Sequence, residues 1–537
     1  MSKMSDALLP DVLRLRAELS TDQPFFQAIG QDPVTYGEAY AHACSIANGL
    51  VALGIEHGEC IVIMAENSTD SICTWLGINL AGAVEVAINT GYRGHSLEHP
   101  LQNSHARVIF AEEGLVHRLA EIRDSLTYLE TVVVYGAAAE LPALPGLTVR
   151  PFAEVLGPGD VAPARPVSPQ DLASIVYTSG TTGPAKGVMM PHGQIRLFAN
   201  LGVDGARMTG EDVFYCFIPL FHVAGKFIGI LGSMMVGGKV ILDTRFRAEA
   251  WLPRVREYGA TLCLLHGPLV EMIHNQPEEP DDGENPVTRV IASPFPAKIA
   301  EDFERRFRLR GIETWGMTEV TIPIWQPYDE PLHVGCCGRL RADDFELRIV
   351  DPDTDAELPT GQVGELTLRP RVPWSMMQGY LHMPEATVSA WRNLWFHTGD
   401  LGYIDAEGYV YFVDRMKERI RRRAENISSY EIESAARTHP AVSDCAAVGV
   451  PSEFEGDDDV MLCVSLAEGA VLQPAELVGH LVKRLPHFMV PRYVRFSDEL
   501  PRTPTGKLQK ALLRETGVVA DTWDRKAAGV SIRELAQ

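Results

Sequence analysis

The sequence predicts an α/β fold divided into more than one domain. The helical-looking segment Tyr36 to Leu53 alternates with short apolar runs such as Cys60 to Met64 and Arg107 to Phe110, which is the rhythm of stacked α/β layers. With 537 residues, 46% of them hydrophobic, the chain can bury a sizeable core. The strand-like run Tyr409 to Val413 is followed by the highly charged segment Asp414 to Arg423. We therefore place a domain boundary after Val413.

The run YTSGTTGPAKG, Tyr177 to Gly187, has the composition of a loop that binds phosphates. The apolar run Leu172 to Val176 precedes it like a buried strand. Glycines let the backbone approach a polyphosphate closely, hydroxyl groups add donors, and Lys186 supplies a mobile positive charge. It is not a Walker A loop, because Ala185 stands where the second glycine is needed. The predicted phosphate-binding residues are Thr178, Ser179, Gly180, Thr181, Thr182, Gly183 and Lys186.

Five further motifs follow in order along the chain. They are PLFHVAG (219–225), TWGMTE (314–319), HTGD (397–400), DRMK (414–417) and PRTPTGK (501–507). With the phosphate loop, this set resembles the adenylate-forming enzymes, which include acyl-CoA synthetases, peptide-synthetase adenylation domains and luciferases. The resemblance runs nearly end to end. In overall style the chain is most similar to bacterial acyl-CoA ligases of the carnitine/crotonobetaine type.

The resemblance implies a domain organisation. An N-terminal adenylate-forming domain, residues 1–413, would hold the ATP and acyl sites in stacked α/β layers with a β-barrel-like subdomain. Residues 414–417 would form a hinge, with Lys417 close to the pivot. Residues 418–537 would form a small, mobile α+β lid that swings between two working positions.

The resemblance also implies roles for residues that handle ATP. Activation of a carboxylate requires in-line attack on the α-phosphorus, which brings anions together and demands positive charge. Lys507 would stand between carboxylate and α-phosphate, and Thr318 would donate its hydroxyl to that phosphate. Glu319 would hold Mg²⁺, a hard cation that prefers oxygen ligands. Asp400 would accept from the ribose hydroxyls, assisted by Arg415.

The acyl and adenine sites are assigned by the same resemblance. His222 would line the acyl pocket and position the carboxylate. Ala292 to Pro296 stands where the family has a glycine-rich adenine turn, and Trp315 would stack on the base. The lysine side chain of Lys226 is expected to snorkel to the pocket rim rather than pair with a second substrate carboxylate. The candidate pocket residues are mostly apolar or aromatic, which predicts a hydrophobic or aromatic acid; they are Val223, Lys226, Phe227, Ser293, Phe295, Trp315 and Met317. Ser293, Trp315, Gly316 and Met317 are also assigned to the nucleotide site.

The acyl acceptor is the remaining question. The basic run Lys417 to Arg423 suits the phosphates of coenzyme A, although a solvated charged face is an equal reading of it. Ala424 stands where acyl-CoA synthetases usually carry glycine, and its methyl group predicts a slowed thioester step. We expect an ATP-dependent acid–CoA ligase that forms acyl-CoA, AMP and pyrophosphate through an acyl-adenylate. Two alternatives stay open: an adenylating enzyme that loads a carrier protein, and a catalytically weak sensor of acyl-nucleotides.

Net charge, cysteine pattern and apolar segments limit the partners and the location expected for this protein. A formal net charge of −23 argues against nucleic acid or an anionic membrane as the main partner. The nine cysteines contain no C-x-x-C pair, which fits reduced thiols in a cytoplasmic protein. The N-terminus lacks the apolar core of a signal peptide, and Phe227 to Val236 is too short to span a bilayer. The assembly state is open, with a homodimer among the options.

Overall fold

The computed structural model describes residues 2–136, 143–178, 185–416, 420–422, 425–427, 429–452, 458–485, 487, 489–503 and 508–535. Contacts within the chain divide it into two compact units. Unit 1 comprises residues 1–347, 368–396 and 408–410, and unit 2 comprises residues 348–367, 397–407 and 411–537. This division differs from the single boundary expected after Val413, because two segments that precede it, 348–367 and 397–407, belong to unit 2. The HTGD motif therefore lies in unit 2.

The helices alternate with strands throughout unit 1 and continue into unit 2. In the described residues they are α1 (Ser2–Ser5), α2 (Leu9–Leu19), α3 (Tyr36–Ala52), α4 (Thr69–Leu80), α5 (His95–Asn103), α6 (His117–Glu121), α7 (His192–Gly205), α8 (Gly232–Val236), α9 (Ala248–Tyr258), α10 (Gly267–His274), α11 (Ala300–Phe307), α12 (Pro384–Ala390), α13 (Ser429–Ala436), α14 (Pro474–Val482), α15 (Lys510–Thr516) and α16 (Ile532–Leu535).

The first strands of the chain lie in unit 1 or contain residues of both units. The last strands lie entirely in unit 2. They are β1 (Pro24–Ala28), β2 (Val34–Thr35), β3 (Cys60–Met64), β4 (Val84–Ala87), β5 (Val108–Glu112), β6 (Thr131–Tyr135), β7 (Thr148–Pro151), β8 (Leu172–Thr178), β9 (Lys186–Pro191), β10 (Val213–Cys216), β11 (Lys239–Leu242), β12 (Leu262–His266), β13 (Arg289–Ser293), β14 (Arg310–Met317), β15 (Thr321–Trp325), β16 (Gly338–Leu340), β17 (Phe345–Val350), β18 (Gly364–Pro370), β19 (Gly379–Tyr380), β20 (Phe396–Ile404), β21 (Tyr409–Arg415), β22 (Ile420–Arg422), β23 (Glu425–Ile427), β24 (Val442–Pro451), β25 (Asp458–Leu466), β26 (Tyr493–Phe496) and β27 (Trp523–Asp524).

One sheet of unit 1 carries the phosphate loop. Its order is β19-β9-β8-β4-β3-β5-β6-β7, and the pairs from β8 to β7 are parallel. Such strands read as continuous apolar runs because helices cover both faces. The cores of these strands, including Val62, Val86 and Ile109, are fully buried in one hydrophobic cluster. The expected strand Cys60–Met64 is confirmed.

The other sheet of unit 1 contributes the TWGMTE motif. Within unit 1 its strands lie in the order β16-β15-β14-β13-β12-β10-β11-β1-β2. The strands from β14 to β1 are parallel, and β15 returns antiparallel to β14. Local signals start the neighbouring helices: α3 begins with a capping box in which Thr35 and Glu38 satisfy each other's backbone groups.

Unit 2 has an α+β architecture. In its C-terminal sheet β24 is antiparallel to β25, β25 is parallel to β26, and β26 is antiparallel to β27. The hairpin β22–β23 and helices α13 and α14 complete a separate hydrophobic core that includes Ile420, Ile432, Val460 and Leu477. This arrangement confirms the expected α+β C-terminal part.

Two expectations about the whole fold can be compared with the described strands and helices. The pairing orders of the described strands are all open, so the β-barrel-like subdomain is corrected to open sheet. Phe227 to Val236, read from the sequence as core, forms a π-helical turn followed by α8 and is buried apart from Val236. Of the helices in the described part of the chain, none combines the length and apolarity that crossing a bilayer requires.

Candidate active site

The phosphate loop connects two strands that pair directly at its base. Strand β8 ends at Thr178 and β9 begins at Lys186, and these two residues are partners in the antiparallel ladder. Because β8 is parallel to β4, the loop leaves from the carboxyl end of a parallel strand, where α/β sheets bind ligands. His99 contacts the C-terminal end of the loop, with its Nε2 2.8 Å from the carbonyl oxygen of Ala185. The predicted residues Ser179, Gly180, Thr181, Thr182 and Gly183 lie outside the described residues.

Tyr380 connects two of the predicted site residues. Strand β19 pairs with β9, which brings Tyr380 opposite Val188. The ammonium nitrogen of Lys186 lies 4.4 Å from the centre of the Tyr380 ring, and the Tyr380 hydroxyl donates a 3.0 Å hydrogen bond to Glu319 Oε1. Burial and the neighbouring Glu319 carboxylate raise the pKa of Tyr380, so the phenol keeps its proton and remains a donor. No sequence motif indicated Tyr380.

The tight turn of TWGMTE depends on Gly316. Strand β14 turns into β15 so that Met317 pairs with Thr321. A Cβ atom at Gly316 would lie 2.3 Å from the carbonyl oxygen of Thr321 and 2.8 Å from the Cα of Ile322. Both neighbours are backbone atoms that cannot rotate away. Glycine is therefore required there to place the following Thr318 and Glu319.

Hydrogen bonds to the backbone anchor two residues of this turn, Thr318 and Glu319. The side-chain amide of Gln194, on α7, donates to the carbonyl oxygens of Thr318 at 2.8 Å and Glu319 at 3.2 Å. The backbone N–H of Met377 donates to the carbonyl of Glu319 at 2.9 Å. Thr318 is half-buried and Glu319 is 6% exposed. The predicted α-phosphate donor and metal ligand thus sit on a fixed segment of backbone, and Gln194 is a supporting residue that no sequence motif indicated.

The donor set fits a Mg²⁺ ion held jointly with phosphates. Among the described residues, no group of three or more His, Cys, Asp or Glu side chains could hold a metal by itself. Mg²⁺ is commonly bound through one or two carboxylates together with the phosphates of a nucleotide. Glu319 would supply the carboxylate, oriented by Tyr380. The ion would neutralise phosphate charge during transfer.

The predicted adenine site lies at the ends of neighbouring strands. Ser293 ends β13, which runs parallel to β14, and Trp315 stands near the end of β14. The two residues therefore occupy the same edge of the sheet. Phe295 instead packs into the core, where its ring covers Gly311 and contacts Phe303 edge-on at 6.0 Å. Its assignment to the pocket wall stays a prediction.

A buried carboxyl group hydrogen-bonds to the predicted adenine segment, Ala292 to Pro296. Glu313, on β14, is 5% exposed, and burial raises its pKa to about 8. The backbone N–H of Phe295 hydrogen-bonds to it and partly opposes that rise. Glu313 therefore carries a proton at neutral pH.

The PLFHVAG segment combines a half-buried part and a buried part. Phe221, His222 and Val223 are half-buried, with the rings of Phe221 and His222 5.2 Å apart. The chain then forms a π-helical turn, Ala224–Leu231, a feature often found at functional sites. Phe227 on this turn is fully buried among aromatic rings, with Trp75 at 6.1 Å and Phe198 at 5.8 Å. Its assignment to the acyl pocket stays a prediction.

Lys226 does not snorkel, contrary to expectation. It is 1% exposed, and its ammonium group forms a short ion pair with the carboxylate of Glu85, which is 2% exposed. The Ser174 hydroxyl donates to the other Glu85 oxygen at 2.5 Å. Burial lowers the pKa of Lys226 and Glu85 opposes that shift. The π-helical turn aims this side chain inward, which the sequence could not indicate without the position of Glu85.

In unit 2, the HTGD segment forms a turn organised by a buried carboxylate. Glu365 accepts a 3.0 Å hydrogen bond from the Gly399 N–H and lies 2.8 Å from His397 Nδ1. Gly399 adopts a left-handed conformation with φ of 72°, which favours glycine. Asp400 follows, 7% exposed, with its Oδ1 3.5 Å from Arg415 Nε. The predicted ribose pair is therefore brought together, and Glu365 is a further residue that the motifs did not indicate.

Three further predicted residues, Lys417, Ala424 and Lys507, also lie outside the described residues. Described residues close to Lys417 and Lys507 are held by backbone hydrogen bonds. The Met416 N–H donates to the Gly399 carbonyl at 2.8 Å, and Arg502 forms an isolated β-bridge with Leu508.

Comparison with known proteins places this geometry in a family. The family model for AMP-binding enzymes matches residues 13–381, and that for the AMP-binding enzyme C-terminal domain matches residues 431–507. Crotonobetaine/carnitine–CoA ligase of Salmonella heidelberg is 29% identical over 87% of this chain and 90% of its own length. Sulfoacetate–CoA ligase of Cupriavidus necator is also 29% identical, over 94% of this chain and 97% of its own.

Solved structures agree with this placement. ATP-bound MatB from Rhodopseudomonas palustris superposes with a TM-score of 0.83 at 27% identity, covering 95% of this chain and 99% of that one. The anthranilate–CoA ligase AuaEII in complex with anthranoyl-AMP superposes with a TM-score of 0.85 at 24% identity, covering 98% of both chains, and shows the shared fold. The chain belongs to the AMP-binding enzyme family and is an AMP-forming acyl-CoA synthetase that uses a carboxylic acid, ATP with Mg²⁺, and coenzyme A.

Proposed function

We propose that the acid activated by this enzyme is hydrophobic or aromatic and carries no charge at its distal end. The observation that carries the proposal is the composition of the wall beside the PLFHVAG segment. This wall is apolar apart from Ser71 and the Glu85–Lys226 ion pair; its apolar residues are Ile63, Ala65, Trp75, Ala87, Ile88, Leu220 and Phe221. Because Lys226 is neutralised by Glu85, the wall presents no net charge to a substrate.

The net charge of this wall decides whether an acid with a charged or an uncharged distal group is favoured. An unpaired buried lysine would attract a second carboxylate and repel a quaternary ammonium group. The relatives named above act on crotonobetaine or carnitine and on sulfoacetate, acids with distal groups of opposite charge. A paired lysine fits neither group well, so an uncharged acyl chain or ring is favoured.

We propose roles for the remaining residues on the same basis. Thr178, Lys186 and Thr318 contact the phosphates, Glu319 binds Mg²⁺ and His222 positions the acid carboxylate. Support comes from the Lys186–Tyr380–Glu319 contacts, which bring a phosphate-loop cation and a carboxylate to one place.

The remaining proposed roles belong to residues of unit 2. Asp400 and Arg415 hold the ribose, and Lys507 stabilises the charge that develops at the α-phosphate. Residues 414–417 act as the hinge for a lid formed by residues 418–537. The paired geometry of Asp400 and Arg415 supports the ribose role.

The test is pyrophosphate release with Mg-ATP across a panel of fatty, aryl, steroid and betaine acids, each assayed with and without coenzyme A. Mass spectrometry identifies the acyl product. Acyl-CoA from fatty or aryl acids supports the proposal. Selective turnover of a betaine or a dicarboxylate contradicts the proposed acid class. Acyl-AMP that persists when coenzyme A is present would indicate a carrier protein as the acceptor instead.

A matched variant tests the proposed catalytic cation. Lys507→Ala is expected to abolish acid-dependent pyrophosphate release while ATP still binds, because the variant removes charge stabilisation at the reacting phosphate. Lys526→Ala, at an exposed lysine of the same unit, is the control. Unchanged pyrophosphate release from Lys507→Ala contradicts the assigned role.

A further inference from the structure

Asn67 joins the two sheets of unit 1 beside the PLFHVAG segment. It follows β3 of the sheet that carries the phosphate loop and is 5% exposed. Its side-chain amide donates to the carbonyl oxygens of Ile218 at 3.1 Å and Asp243 at 3.0 Å. Its Oδ1 accepts a 3.0 Å hydrogen bond from the Leu220 N–H. One side chain thus binds the segments that follow β10 and β11 of the other sheet.

The three partners determine the orientation of this amide. Two carbonyl oxygens face its NH2 end and one N–H faces its oxygen end. The reverse orientation would satisfy none of the three groups, because an amide oxygen only accepts and an amide nitrogen only donates. A buried backbone group without a partner is unfavourable. The side chain of Asn67 and the backbone that it binds therefore fix each other in one arrangement.

The turn that carries Asn67 is itself held in place. Ser68 starts α4 with a capping box, in which its hydroxyl accepts from the Ser71 N–H and the Ser71 hydroxyl accepts from the Ser68 N–H. The Ser71 hydroxyl also donates to the Glu66 carbonyl oxygen at 3.1 Å. The backbone on both sides of Asn67 is therefore bound to the first turn of α4, which limits the movement of the amide.

The hydrogen bonds of Asn67 fix the start of the turn that carries His222. Pro219 lies between the two PLFHVAG-side residues that Asn67 binds, and its carbonyl oxygen accepts a 2.9 Å hydrogen bond from the His222 N–H. A Cβ atom at Gly225 would lie 2.9 Å from the Ile218 carbonyl oxygen. The end of the PLFHVAG segment thus packs against the carbonyl group that Asn67 holds. The backbone position of His222 depends on Asn67 for this reason.

We propose that Asn67 is a positioning residue for activation of the acid and acts through the backbone that carries His222. The inference rests on the proposed function, in which His222 positions the acid carboxylate, and deepens it by naming the residue that fixes this histidine. In-line attack requires the carboxylate oxygen at a defined distance from the α-phosphorus. Without the Asn67 amide the turn shifts and the carboxylate shifts with it, while Lys186 and Glu319 keep their contacts to Tyr380.

The experiment compares the full-length wild type with Asn67→Ala, Asn67→Asp, His222→Ala and the double variant N67A/H222A. Octanoic acid and benzoic acid are the probes, and pyrophosphate release with Mg-ATP gives kcat and the KM values for acid and ATP. Asn67→Asp keeps the shape of the side chain and supplies at most one donor in place of two. Asn285→Ala is the matched control, because the Asn285 amide, ahead of β13, also donates to two carbonyl oxygens and accepts one N–H.

The acid side of the kinetics should change in both Asn67 variants. We expect Asn67→Ala to lower kcat/KM for the acid by about 10- to 100-fold with the KM for ATP unchanged, since displacement of a positioned group by about 1 Å costs up to about 100-fold. Asn67→Asp should lower it as well. The double variant should lose no more than His222→Ala alone, because Asn67 acts through that histidine. Asn285→Ala should keep the wild-type values.

Non-additive losses confined to the acid support the proposal. Additive losses in the double variant overturn it, as does an unchanged kcat/KM for the acid in a folded Asn67 variant. If neither Asn67 variant folds, Asn67 is required for the fold itself and the proposal is overturned.

Two outcomes would be failures of the proposed function instead: a wild type that activates neither probe acid, and wild-type rates in His222→Ala. Hydrogen exchange then decides the inference. Faster exchange of the Leu220 and His222 N–H groups in Asn67→Ala than in Asn285→Ala supports the positioning of this turn by Asn67, and equal exchange overturns it.

Discussion

The Tyr380 hydroxyl donates a 3.0 Å hydrogen bond to Glu319 Oε1 while the face of its ring lies against the ammonium group of Lys186. One side chain thus contacts both the predicted metal ligand and the predicted phosphate-binding lysine. Strands β9 and β19 are joined antiparallel, and this pairing holds Tyr380 in reach of both. Tyr380 is therefore a positioning residue through which loop and carboxylate are kept at a fixed separation.

Removal of the Tyr380 hydroxyl should weaken metal-dependent activation. Tyr380→Phe keeps the ring beside Lys186 and deletes the hydrogen bond to Glu319. We expect kcat/KM for adenylate formation to fall roughly tenfold, with a higher Mg²⁺ concentration needed for half-maximal rate, since residues that orient metal ligands typically contribute on that scale. Tyr409→Phe, which removes a hydroxyl bonded to Glu330 elsewhere in unit 1, is the control. Identical Mg²⁺ titrations for wild type and Tyr380→Phe contradict this role.

Addition of one methyl group at Gly316 should disable the site. Gly316→Ala places a Cβ atom 2.3 Å from the Thr321 carbonyl oxygen, so the turn between β14 and β15 must shift together with Thr318 and Glu319. We expect adenylate formation to fall more than about 100-fold, because small displacements of positioned groups are costly in catalysis. At Gly114 a Cβ atom would meet nothing within 4 Å, so Gly114→Ala is the matched control. Wild-type rates in Gly316→Ala would show that the turn can relax freely.

Loss of the Glu365 charge should raise the KM for ATP. Glu365 accepts from the Gly399 N–H and contacts His397, and both contacts shape the turn before Asp400. Glu365→Gln leaves one acceptor oxygen for these two groups. We expect a severalfold higher KM for ATP with the KM for the acid unchanged, measured by pyrophosphate release. A change in the acid KM alone would argue against a role of this turn in nucleotide binding.

Stability should depend on pH through Glu313. The pKa of this carboxyl is about 8 in the folded protein against an ordinary value of 4.5, so the folded state binds the extra proton between these values. Stability from this group is complete below the lower value and is lost as pH rises through the folded value, at about 1.4 kcal/mol per pH unit.

Glu313→Gln mimics the protonated carboxyl and should remove that dependence. We expect the melting temperature of Glu313→Gln relative to wild type to increase from pH 5 to pH 8. The exposed Glu278, changed to Gln, is the control. A melting difference that stays constant across this range would show that Glu313 is not the group responsible.

Removal of the Lys510 charge should destabilise unit 2. Lys510 lies 2.8 Å from Glu433 Oε1 and donates to Ser429 Oγ at 2.7 Å. Lys510→Met leaves the buried Glu433 carboxylate without the Lys510 ammonium group. Removal of one partner from a buried ion pair typically lowers the free energy of unfolding by about 3–5 kcal/mol. Faster hydrogen exchange along β24 is the expected signature, because the Ala447 N–H bonds to the same Glu433 oxygen.

A double variant tests whether the unpaired Glu433 charge causes the faster exchange. Lys510→Met combined with Glu433→Gln removes both charges and should recover much of the protection of β24. Equal exchange in Lys510→Met and wild type would mean that water or other groups satisfy Glu433 without Lys510.

Several strands were predictable because their apolar runs are continuous and short. Cys60–Met64 agrees to the residue, and the expected run Arg107 to Phe110 corresponds to β5 shifted by one or two residues. Such runs signal buried parallel strands wherever they lie in the fold. The division into units was less predictable, because β17, β18, β20 and β21 each contain residues of both units. A contact boundary of that kind leaves no composition change in the sequence.

The sequence by itself determined the family and reaction class of this protein, because the ordered motifs are recognisable independently of how they meet, and it predicts the groups that would handle phosphate, metal and ribose. The tertiary structure decided how these groups are supported and neutralised. Tyr380, Gln194 and Glu365 stabilise predicted residues from distant segments, and Glu85 neutralises Lys226 across the core. Such contacts depend on strand pairing and on which way a turn aims a side chain, and neither is encoded in the local pattern around any single motif.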